Sequence, residues 1–481
     1  MTGDEHGAWW VLADVRRVQR YIFETNSLKQ MRGASRVLLD YEKLISSIPV
    51  TDPGATVEIG QGGTYRLRAD SKDKALAIEH RLRREFVEIT GLSDDRLVTV
   101  IAFAGPDDDK RRSRREAAYS KLLARQARTH VGVQSGAPLE RLCQTCGVRP
   151  SIANDVCGTC QERIVGAGAP PGKVWEQLEE LGHAVASHEL YDLGAFAEAS
   201  SPSGYLALIV ADVDALGQLF PSLDDDQQQQ LSKKLAGAVQ AGVLAAIDAA
   251  VAWSSRDACE WPVMMPQWIG GDDAVLVVPP ESAHACAEAL VRGFTGHDFS
   301  IDSVTYPRGD TPTLSVGVVI AHASLPAYLL LDLGESLLHR AKAASHAQFA
   351  KDPASSRTTA GWVDIDVVKA SMGSPSPNTE AAVDAAGPPD LAPIPVFRAD
   401  VSADGGLRQL IDDSRELLEM EAPRRRMRHW LNDPTVFDST EMEHVSAITN
   451  RWLSRRAELL LAYETFRTMR ATDHRREELA R

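Results

Sequence analysis

The sequence predicts an α+β protein with two ferredoxin-like domains, a four-cysteine element between them and a helical domain at the C-terminal end. Three observations lead to this prediction: one order of strands and helices occurs twice, the cysteines form two close pairs, and a helical pattern follows a stretch rich in proline. The chain has 481 residues, 44% of them hydrophobic, which suits about two to four domains with buried cores. Its formal net charge of −15 does not indicate a surface that binds nucleic acid as a whole.

The first copy of the repeat begins with an apolar strand over residues 8–15, which ends near Asp14. The hydrophobic pattern then predicts a helical segment from Tyr21 to Leu44, a hairpin over 56–67, a helix over 74–89, a strand over 96–104 and a helix over 111–129. We expect Thr64 and Tyr65 to stand where two aspartates stand in the second copy. Asp14 by itself is expected to cap the end of its strand rather than to bind a metal.

Four cysteines follow in paired spacing: Cys143, Cys146, Cys157 and Cys160. Two C-x-x-C pairs at this separation are typical of a tetrahedral zinc site. Four thiolates would fill the coordination shell, so the Zn²⁺ is expected to be structural. Disulfides are the competing interpretation, and a reducing compartment disfavours them.

The second copy contains the residues with the clearest chemical meaning. An apolar run over residues 205–213 leads into Asp212, Val213 and Asp214, as expected for a buried central strand with acids at its carboxyl end. Further along, two β-forming runs enclose a turn that consists of Gly270, Gly271, Asp272 and Asp273. Glycines suit a tight hairpin, so the two aspartates are predicted at its tip. An acidic turn on a solvated hairpin is the alternative interpretation.

The spacing places both acidic segments in one domain. A helix is expected from about Asp225 to Ser254, and a helix over 281–294, a strand over 314–322 and a helix over 327–344 follow the hairpin. This is the order of a ferredoxin-like polymerase palm, whose central strands share one sheet. Carboxylates that meet on such a sheet suit two divalent cations about 4 Å apart, as in a two-metal nucleotidyl-transfer site.

Two further patterns concern location and surface charge. The sequence shows no signal peptide and no run of about 20 apolar residues, which predicts a cytoplasmic protein without a membrane span. Basic clusters occur at residues 111–115 and 424–428. Each cluster is either a solvated helix face or a track for phosphates.

These motifs together resemble the large, palm-containing subunit of type III CRISPR effector complexes, a family that makes cyclic oligoadenylates from ATP. The resemblance rests on the following segments: Val18 to Phe23, Arg32 to Ser35, Asp212 to Gly217, Gly270 to Asp273 and Ser315 to His322. It implies a nucleotidyltransferase with ATP as substrate and with Mg²⁺ or Mn²⁺ as cofactor. It also implies guide RNA and other effector subunits as partners. If the protein is instead a stand-alone cyclase, a homo-oligomer is the alternative assembly.

The resemblance assigns roles to individual residues. The catalytic carboxylates would be Asp212, Asp272 and Asp273, which would hold the Mg²⁺ or Mn²⁺ together with the Val213 carbonyl. Asp214 would join them or only order the turn. The nucleotide would contact the following residues: Gly270, Gly271, Ser315 and Lys342. Lys342 would hold phosphates as a point charge, and a strand-edge hydroxyl without contact to nucleotide is the alternative for Ser315.

Five segments are expected on this basis. They are a degenerate first palm over 1–135, a zinc-binding linker over 136–200, a catalytic palm over 201–370, a flexible linker over 371–397 and a C-terminal helical domain over 398–481. Members of the family commonly begin with an HD nuclease domain, and this sequence starts almost at the first palm, so we expect no single-stranded DNase activity. Two other functions stay open: a cyclic dinucleotide synthase resembling diguanylate cyclases, and a non-catalytic scaffold subunit that binds RNA.

Overall fold

Two sheets organise the part of the chain that the structure describes. This computed structural model describes residues 7–128, 141–166, 193–253, 264–368, 393–398 and 406–420, apart from short gaps, together with single residues further along. The first sheet has the strand order β2-β3-β1-β4 and contains β1 (Ala8–Val15), β2 (Ala55–Gln61), β3 (Thr64–Ala69) and β4 (Leu97–Gly105). The central part of the second sheet repeats this order with β5 (Tyr205–Val213), β6 (Met265–Ile269), β7 (Asp273–Val278) and β8 (Leu314–His322).

The helices of the two copies also correspond. The helices of the first copy are α1 (Val18–Ile22), α2 (Leu28–Thr51), α3 (Lys72–Thr90) and α4 (Arg111–Arg128). The cysteine-rich element and the segment after it contribute α5 (Gly158–Gly166) and α6 (Leu193–Glu198). The helices of the second copy are α7 (Leu216–Leu219), α8 (Asp225–Trp253), α9 (Ala283–Thr295) and α10 (Ala327–Lys351). This order and the shared strand arrangement confirm two ferredoxin-like palms in an α+β fold.

The repeat extends to the backbone at the carboxyl end of each first strand. Arg17 (φ 55°) and Ala215 (φ 61°) both adopt the left-handed conformation just before the short helices α1 and α7. Non-glycine residues rarely adopt this conformation, so its occurrence at equivalent positions marks a common local structure.

The strand register corrects one expectation about the first hairpin. Asp14 pairs with Thr64 across β1 and β3, whereas Asp212 pairs with Asp273 across β5 and β7. Thr64 therefore stands where Asp273 stands, and Gly63 stands where Asp272 stands, so the expected match of Thr64 and Tyr65 is wrong by one residue. The reason is the position of the turn. Gln61 pairs with Thr64 in the first hairpin, so Gly63 lies in the turn, whereas in the second hairpin Gly270 pairs with Asp273.

Helices cover both faces of the second sheet. A Cβ added at Gly317 of β8 would lie 2.3 Å from the Gly334 carbonyl oxygen, which shows that α10 packs against one face almost backbone to backbone. A Cβ at Gly361 would lie 2.9 Å from Val291 of α9, which covers the other face together with α8. Two strands extend the sheet beyond the palm: β9 (Thr359–Val367) is parallel to β8, and β10 (Ile394–Phe397) is antiparallel to β9. The sequence did not predict β9, and β10 lies at the end of the expected linker.

The two palms pack against each other through equivalent elements. Helix α2 of the first palm contacts β6, and helix α8 of the second palm contacts β2. The Ser35 hydroxyl donates to the Gln267 carbonyl at the first of these contacts. At the second contact, fully buried Arg66 pairs with Glu58 at 2.6 Å and donates to Gln228 at 2.8 Å. The interface is therefore partly polar and has a pseudo-two-fold arrangement.

The basic cluster at residues 111–115 belongs largely to this interface. Arg111 and Arg115 both donate to the Asp225 carboxylate at the start of α8. Arg115 also donates to the Leu223 carbonyl, and Arg114 donates to the Ala104 carbonyl at 2.7 Å. Because these guanidinium groups are engaged within the protein, the structure does not favour the phosphate track. The cluster at residues 424–428 lies outside the described residues except for Met427.

One helix of the described part, α8, is long and apolar enough to cross a membrane by length and composition. The sequence analysis had predicted no membrane span. In the structure 44% of its most apolar 18-residue stretch is buried, and the helix packs along α9 over the second sheet. A core helix of a folded domain passes the same test, so its apolar character follows from its place in the palm.

The C-terminal region is helical where the structure describes it. Helix α11 (Leu407–Glu419) packs against α9 and β10. Its Asp413 is buried and accepts hydrogen bonds from Arg451 at 2.7 Å and from the Trp452 indole at 2.6 Å. This region therefore docks on the face of the second palm that α9 covers.

Candidate active site

The glycine-aspartate turn forms a tight hairpin between β6 and β7. The Gly270 amide donates to the Asp273 carbonyl at 2.8 Å, which leaves Gly271 and Asp272 as the two central residues. The Asp272 carbonyl accepts the Val213 amide at 3.1 Å, so the turn is tied to the end of β5. The strand register also places Asp212 directly opposite Asp273. The structure thus brings together the three predicted catalytic carboxylates.

The position of Asp272 is electrostatically unfavourable for an ionised carboxylate. Burial, and next the neighbouring Asp212 carboxylate, raises the pKa of Asp272 to about 6, and the Lys342 ammonium opposes this rise. A folded protein meets such a cost where a cation or a reaction makes use of the charge. Perturbed pKa values cluster at functional sites, so this one makes the hairpin a candidate site.

Lys342 extends from α10 towards the same acids. Its ammonium pairs with Asp212 Oδ1 and lies 3.4 Å from the Val213 carbonyl oxygen. These two oxygens are among the donors predicted for Mg²⁺ or Mn²⁺, which prefer oxygen ligands. A cationic group thus lies among the oxygens that the resemblance assigns to the divalent cation.

The carboxylates are not drawn together into a closed metal cage. Among the described residues, only the four cysteines place three or more ligand atoms within 4.8 Å of one another. Asp212 is instead paired with Lys342, and Asp273 Oδ2 accepts a hydrogen bond of 2.7 Å from Gln19 Nε2. Gln19 belongs to α1 of the first palm, so the site is built from both palms.

Asp214 has a different environment from the other acids. It is 5% exposed, and its carboxylate accepts hydrogen bonds from Thr313 at 2.8 Å, Ser315 at 2.8 Å and Ser345 at 3.1 Å. These contacts tie β5, β8 and α10 together and engage both carboxylate oxygens. The geometry therefore favours the alternative in which Asp214 orders the turn.

Ser315 belongs to the same hydrogen-bond network around Asp214. It is fully buried in the central strand β8, and its hydroxyl points to Asp214. This geometry favours a structural hydroxyl over a contact with nucleotide, although the residue does not lie at a sheet edge as that alternative had assumed.

The first palm carries a neutralised version of the site. Asp14, the counterpart of Asp212, accepts hydrogen bonds from Thr64 at 2.8 Å and from Gln126 at 2.6 Å. Gln126 lies on α4 and contacts Asp14 much as Lys342 on α10 contacts Asp212. Burial raises the pKa of Asp14, and the two hydrogen bonds oppose this rise. With no second carboxylate at Thr64, this copy lacks the donors that a divalent cation requires.

The four cysteines form a separate cluster with the geometry of a zinc site. Their sulfur atoms lie within 4.8 Å of one another, and the Cys146 and Cys157 sulfurs are 3.9 Å apart. A tetrahedron with metal–sulfur bonds of about 2.3 Å has edges of about 3.8 Å, whereas a disulfide needs about 2.05 Å. The cluster therefore fits Zn²⁺ and not a pair of disulfides.

Sequence reasoning missed Gln19 as a member of the site. It lies in the segment Val18 to Phe23, which the resemblance had already singled out, but nothing local indicates a contact with a residue more than 250 positions away. Only the packing of the two palms shows this contact.

Comparisons with known proteins identify relatives of the second palm and of the whole fold. Residues 205–350 match the family model of the Cas10/Cmr2 second palm domain. A comparison with curated proteins finds no match.

Solved structures show the same fold. The crystal structure of the apo Csm1–Csm4 cassette matches at 15% identity over 95% of this chain and 70% of that chain, with a TM-score of 0.51. The cassette in complex with one ATP matches at 15% identity over 96% of this chain and 70% of that chain, with a TM-score of 0.51. For the cassette in complex with cA4, the match at 17% identity and a TM-score of 0.46 covers 71% of this chain and 53% of that chain, so this chain spans about half of that relative.

At these identities the structural matches establish the fold, and the family model establishes the palm. Together they confirm the resemblance: residues 205–350 match the Cas10/Cmr2 second palm domain, and the chain is similar in fold to the Csm1–Csm4 cassette.

Proposed function

We propose that the protein is a metal-dependent nucleotidyltransferase that makes cyclic oligoadenylates from ATP as an antiviral second messenger. It would act as the large subunit of a type III CRISPR complex, with guide RNA and other subunits as partners, or as a stand-alone cyclase in the cytoplasm. The observation that supports this proposal most is the pairing of Asp212 with Asp273, with Asp272 beside them in the turn. Asp212 at the end of β5, two aspartates of the neighbouring hairpin and Lys342 of α10 are the groups that nucleotidyl transfer with divalent cations requires.

Each of these residues has a defined task in the reaction. Mg²⁺ or Mn²⁺, held by the three aspartates and the Val213 carbonyl, would stabilise the charge on the attacking and leaving oxygens. Lys342 would move from Asp212 to the triphosphate. Gly271 would let the phosphates approach the backbone, because a Cβ at this position would meet nothing within 4 Å and the space beside it is open.

Each transfer joins two nucleotides and releases pyrophosphate. The 3′-oxygen of one ATP forms a bond to the α-phosphorus of another, the bond from that phosphorus to the bridging oxygen breaks, and pyrophosphate leaves with the electron pair. The 3′-hydroxyl proton passes to solvent or to a carboxylate. Repetition lengthens the chain. The ring closes when the terminal 3′-oxygen attacks the α-phosphorus of the 5′-triphosphate, whose bond to the bridging oxygen breaks with release of pyrophosphate.

The adenine substrate is supported by the relatives and not by a base contact in this chain. Csm1–Csm4 cassettes with TM-scores of 0.50 to 0.51 have been crystallised in complex with ATP, pppApA and pppApApA. These ligands are a nucleotide and two linear adenylates, as expected for substrate and intermediates of such a reaction. ATP is therefore the first substrate to test.

The test is incubation of the purified full chain with each nucleoside triphosphate and Mg²⁺ or Mn²⁺, with the products identified by mass spectrometry. Cyclic adenylates from ATP would support the proposal, and cyclic products from GTP would instead indicate a cyclic dinucleotide synthase. Asp272→Ala combined with Asp273→Ala should abolish turnover. Asp14→Ala, at the equivalent strand end of the first palm, is the matched control and should retain activity.

If no product forms from any nucleotide, the same assay is repeated with the chain assembled with guide RNA, target RNA and partner subunits. Product in the assembled complex would support an RNA-dependent synthase. Absence of product there as well would refute the proposal and favour the scaffold function.

A further inference from the structure

Helix α1 of the first palm connects the cysteine-rich element to the catalytic hairpin. One end of this short helix carries Gln19, whose side-chain amide donates to Asp273 Oδ2 at 2.7 Å. Just beyond its other end lies Glu24, which the cysteine-rich element holds by two arginines. The same helix also contacts α10 and β6 of the second palm. It is thus the element through which the first palm reaches the catalytic acids.

The attachment of Glu24 is extensive and largely buried. Arg149 pairs with Glu24 at 2.7 Å and donates a second hydrogen bond to it at 3.0 Å. Arg163 pairs with Glu24 at 2.9 Å, and its guanidinium lies 4.2 Å from the centre of the Tyr21 ring. Arg163 also donates to the Tyr21 carbonyl and is fully buried. These contacts fix the end of α1 with bidentate and stacking geometry, for which arginine is suited.

Both arginines are placed by the predicted zinc ligands. Arg149 lies in the loop between the two cysteine pairs, and Arg163 lies on α5, one turn after Cys160. The Cys143 amide donates to the Arg149 carbonyl at 2.8 Å, which joins the first cysteine pair to this loop directly. The cysteine-rich element therefore supplies two arginines that hold Glu24, and Arg96 of the first palm adds a longer contact at 3.7 Å.

The contact of Gln19 with Asp273 has the form of an orienting hydrogen bond. It engages one carboxylate oxygen and fixes the rotation of the group, so that the other oxygen has a defined direction. Carboxylates that bind metals are commonly oriented by such a donor, and loss of the donor typically lowers metal affinity by about 10- to 100-fold.

We propose that Gln19 is a positioning residue for Asp273, and that Arg149 and Arg163 of the cysteine-rich element hold Gln19 in place through Glu24. This inference rests on the proposed function, because it assumes that Asp273 binds the divalent cation. It assigns the cysteine-rich element a role beyond folding: its structure sets the geometry of an active site in another domain. A contact between the first palm and the catalytic hairpin is then a requirement of the site.

The first experiment measures Mn²⁺ affinity by electron paramagnetic resonance with the zinc-loaded full chain and no nucleotide. Gln19→Met keeps the side-chain length and removes the donor, and it should weaken Mn²⁺ binding about tenfold. Gln126→Met is the matched control, because Gln126 makes the same contact to Asp14 in the palm without metal ligands. It should leave Mn²⁺ affinity unchanged. Equal affinity of the wild type and Gln19→Met would overturn the inference.

The second experiment tests the path through Glu24. Glu24→Gln should weaken Mn²⁺ binding several-fold in the wild type and have no further effect in the Gln19→Met background, since both changes act on one contact. Asp52→Asn, which breaks a pair with Arg81 elsewhere in the first palm, is the control for neutralising an acid. Additive effects of the two changes would overturn the path. Arg149→Met replaces Glu24→Gln if that variant does not fold.

A third variant separates this inference from the proposed function. Asp273→Ala should abolish the Mn²⁺ site whatever Gln19 does. Wild-type protein that binds no Mn²⁺, or Asp273→Ala that binds it normally, would refute the metal site and with it both proposals. A site that depends on Asp273 and not on Gln19 would refute the positioning role alone.

Discussion

Replacement of Lys342 by methionine is expected to change metal binding and nucleotide binding in opposite directions. In the structure the Lys342 ammonium contacts Asp212 and lies 3.4 Å from the Val213 carbonyl oxygen, two of the groups predicted to hold the divalent cation. The ammonium and the cation therefore compete for the same oxygens when no nucleotide is present. A bound triphosphate would draw the ammonium away and remove this competition.

The size of the effect follows from the exposure of the pair. The Lys342 and Asp212 side chains are 28% and 34% exposed, so solvent screens their attraction in part. Ion pairs of this kind contribute about 1 kcal/mol, and removing the competitor should tighten Mn²⁺ binding about fivefold, since about 1.4 kcal/mol corresponds to tenfold. A lost charged contact to a phosphate costs about 1.5–3 kcal/mol, so ATP affinity should fall by roughly 10- to 100-fold.

The assay is a pair of titrations on Lys342→Met and the wild type. Mn²⁺ binding without nucleotide is followed by electron paramagnetic resonance, and ATP binding is followed by calorimetry at saturating Mg²⁺. Lys351→Met, on the exposed end of the same helix, is the matched control and should change neither quantity. Mn²⁺ affinity that is unchanged or weaker in Lys342→Met would refute the competition. Unchanged Mn²⁺ affinity is the result expected if Lys342 binds only phosphate and does not compete with the cation.

Four further predictions concern one aspartate, two glycines and one cysteine. Because the pKa of Asp272 is raised from 3.8 to about 6, the metal-free native state binds this proton more tightly than the unfolded state, and the associated stability is present below about pH 4 and is lost as the pH rises through about 6. Asp272→Asn should therefore stabilise the metal-free protein by about 3 kcal/mol at pH 8 and by little at pH 4 in urea unfolding, and equal effects at both pH values would contradict this reasoning. Gly317→Ala should destabilise the fold by about 3 kcal/mol, because its Cβ would lie 2.3 Å from the Gly334 carbonyl oxygen. Gly271→Ala should leave the melting temperature unchanged and raise the KM for ATP, so a large loss of stability in this variant would show that the turn glycine is structural. Cys160→Ser should lower the zinc content measured by mass spectrometry and destabilise the protein by several kcal/mol, whereas destabilisation of the wild type by a thiol reductant would indicate disulfides.

Local patterns were sufficient to predict most of the fold. The strands Ala8–Val15 and Leu314–His322 and the helix that begins at Asp225 were predicted at or close to their observed bounds, because apolar runs and helical periodicity determine them within one segment. The repeat was predicted for the same reason. The hairpin register of the first palm was not, since two glycines fit a turn in more than one way and only the pairing of Asp14 with Thr64 decides between them.

The site was predictable only in part, for a related reason. Asp212, Asp272 and Asp273 stand at the ends of segments whose strand character is local. The burial of Asp214 among hydroxyls of β8 and α10, and the contact of Gln19 with Asp273, depend on how distant segments pack. Residues of the same chemical type thus took different roles, and no pattern along the chain distinguishes them.

The two palms share a strand-end aspartate and differ in the charges around it. Both palms keep an aspartate at the end of the first strand and a polar side chain from the last helix that contacts it. In the first palm the opposite position holds Thr64 and the contact from the helix is uncharged Gln126, so no carboxylates repel each other. The second palm folds in the same way but places Asp273 and Asp272 there, and the pKa of Asp272 shows the electrostatic cost. The first palm thus folds without these carboxylates, and the charged version in the second palm is the one that the proposed cation site requires.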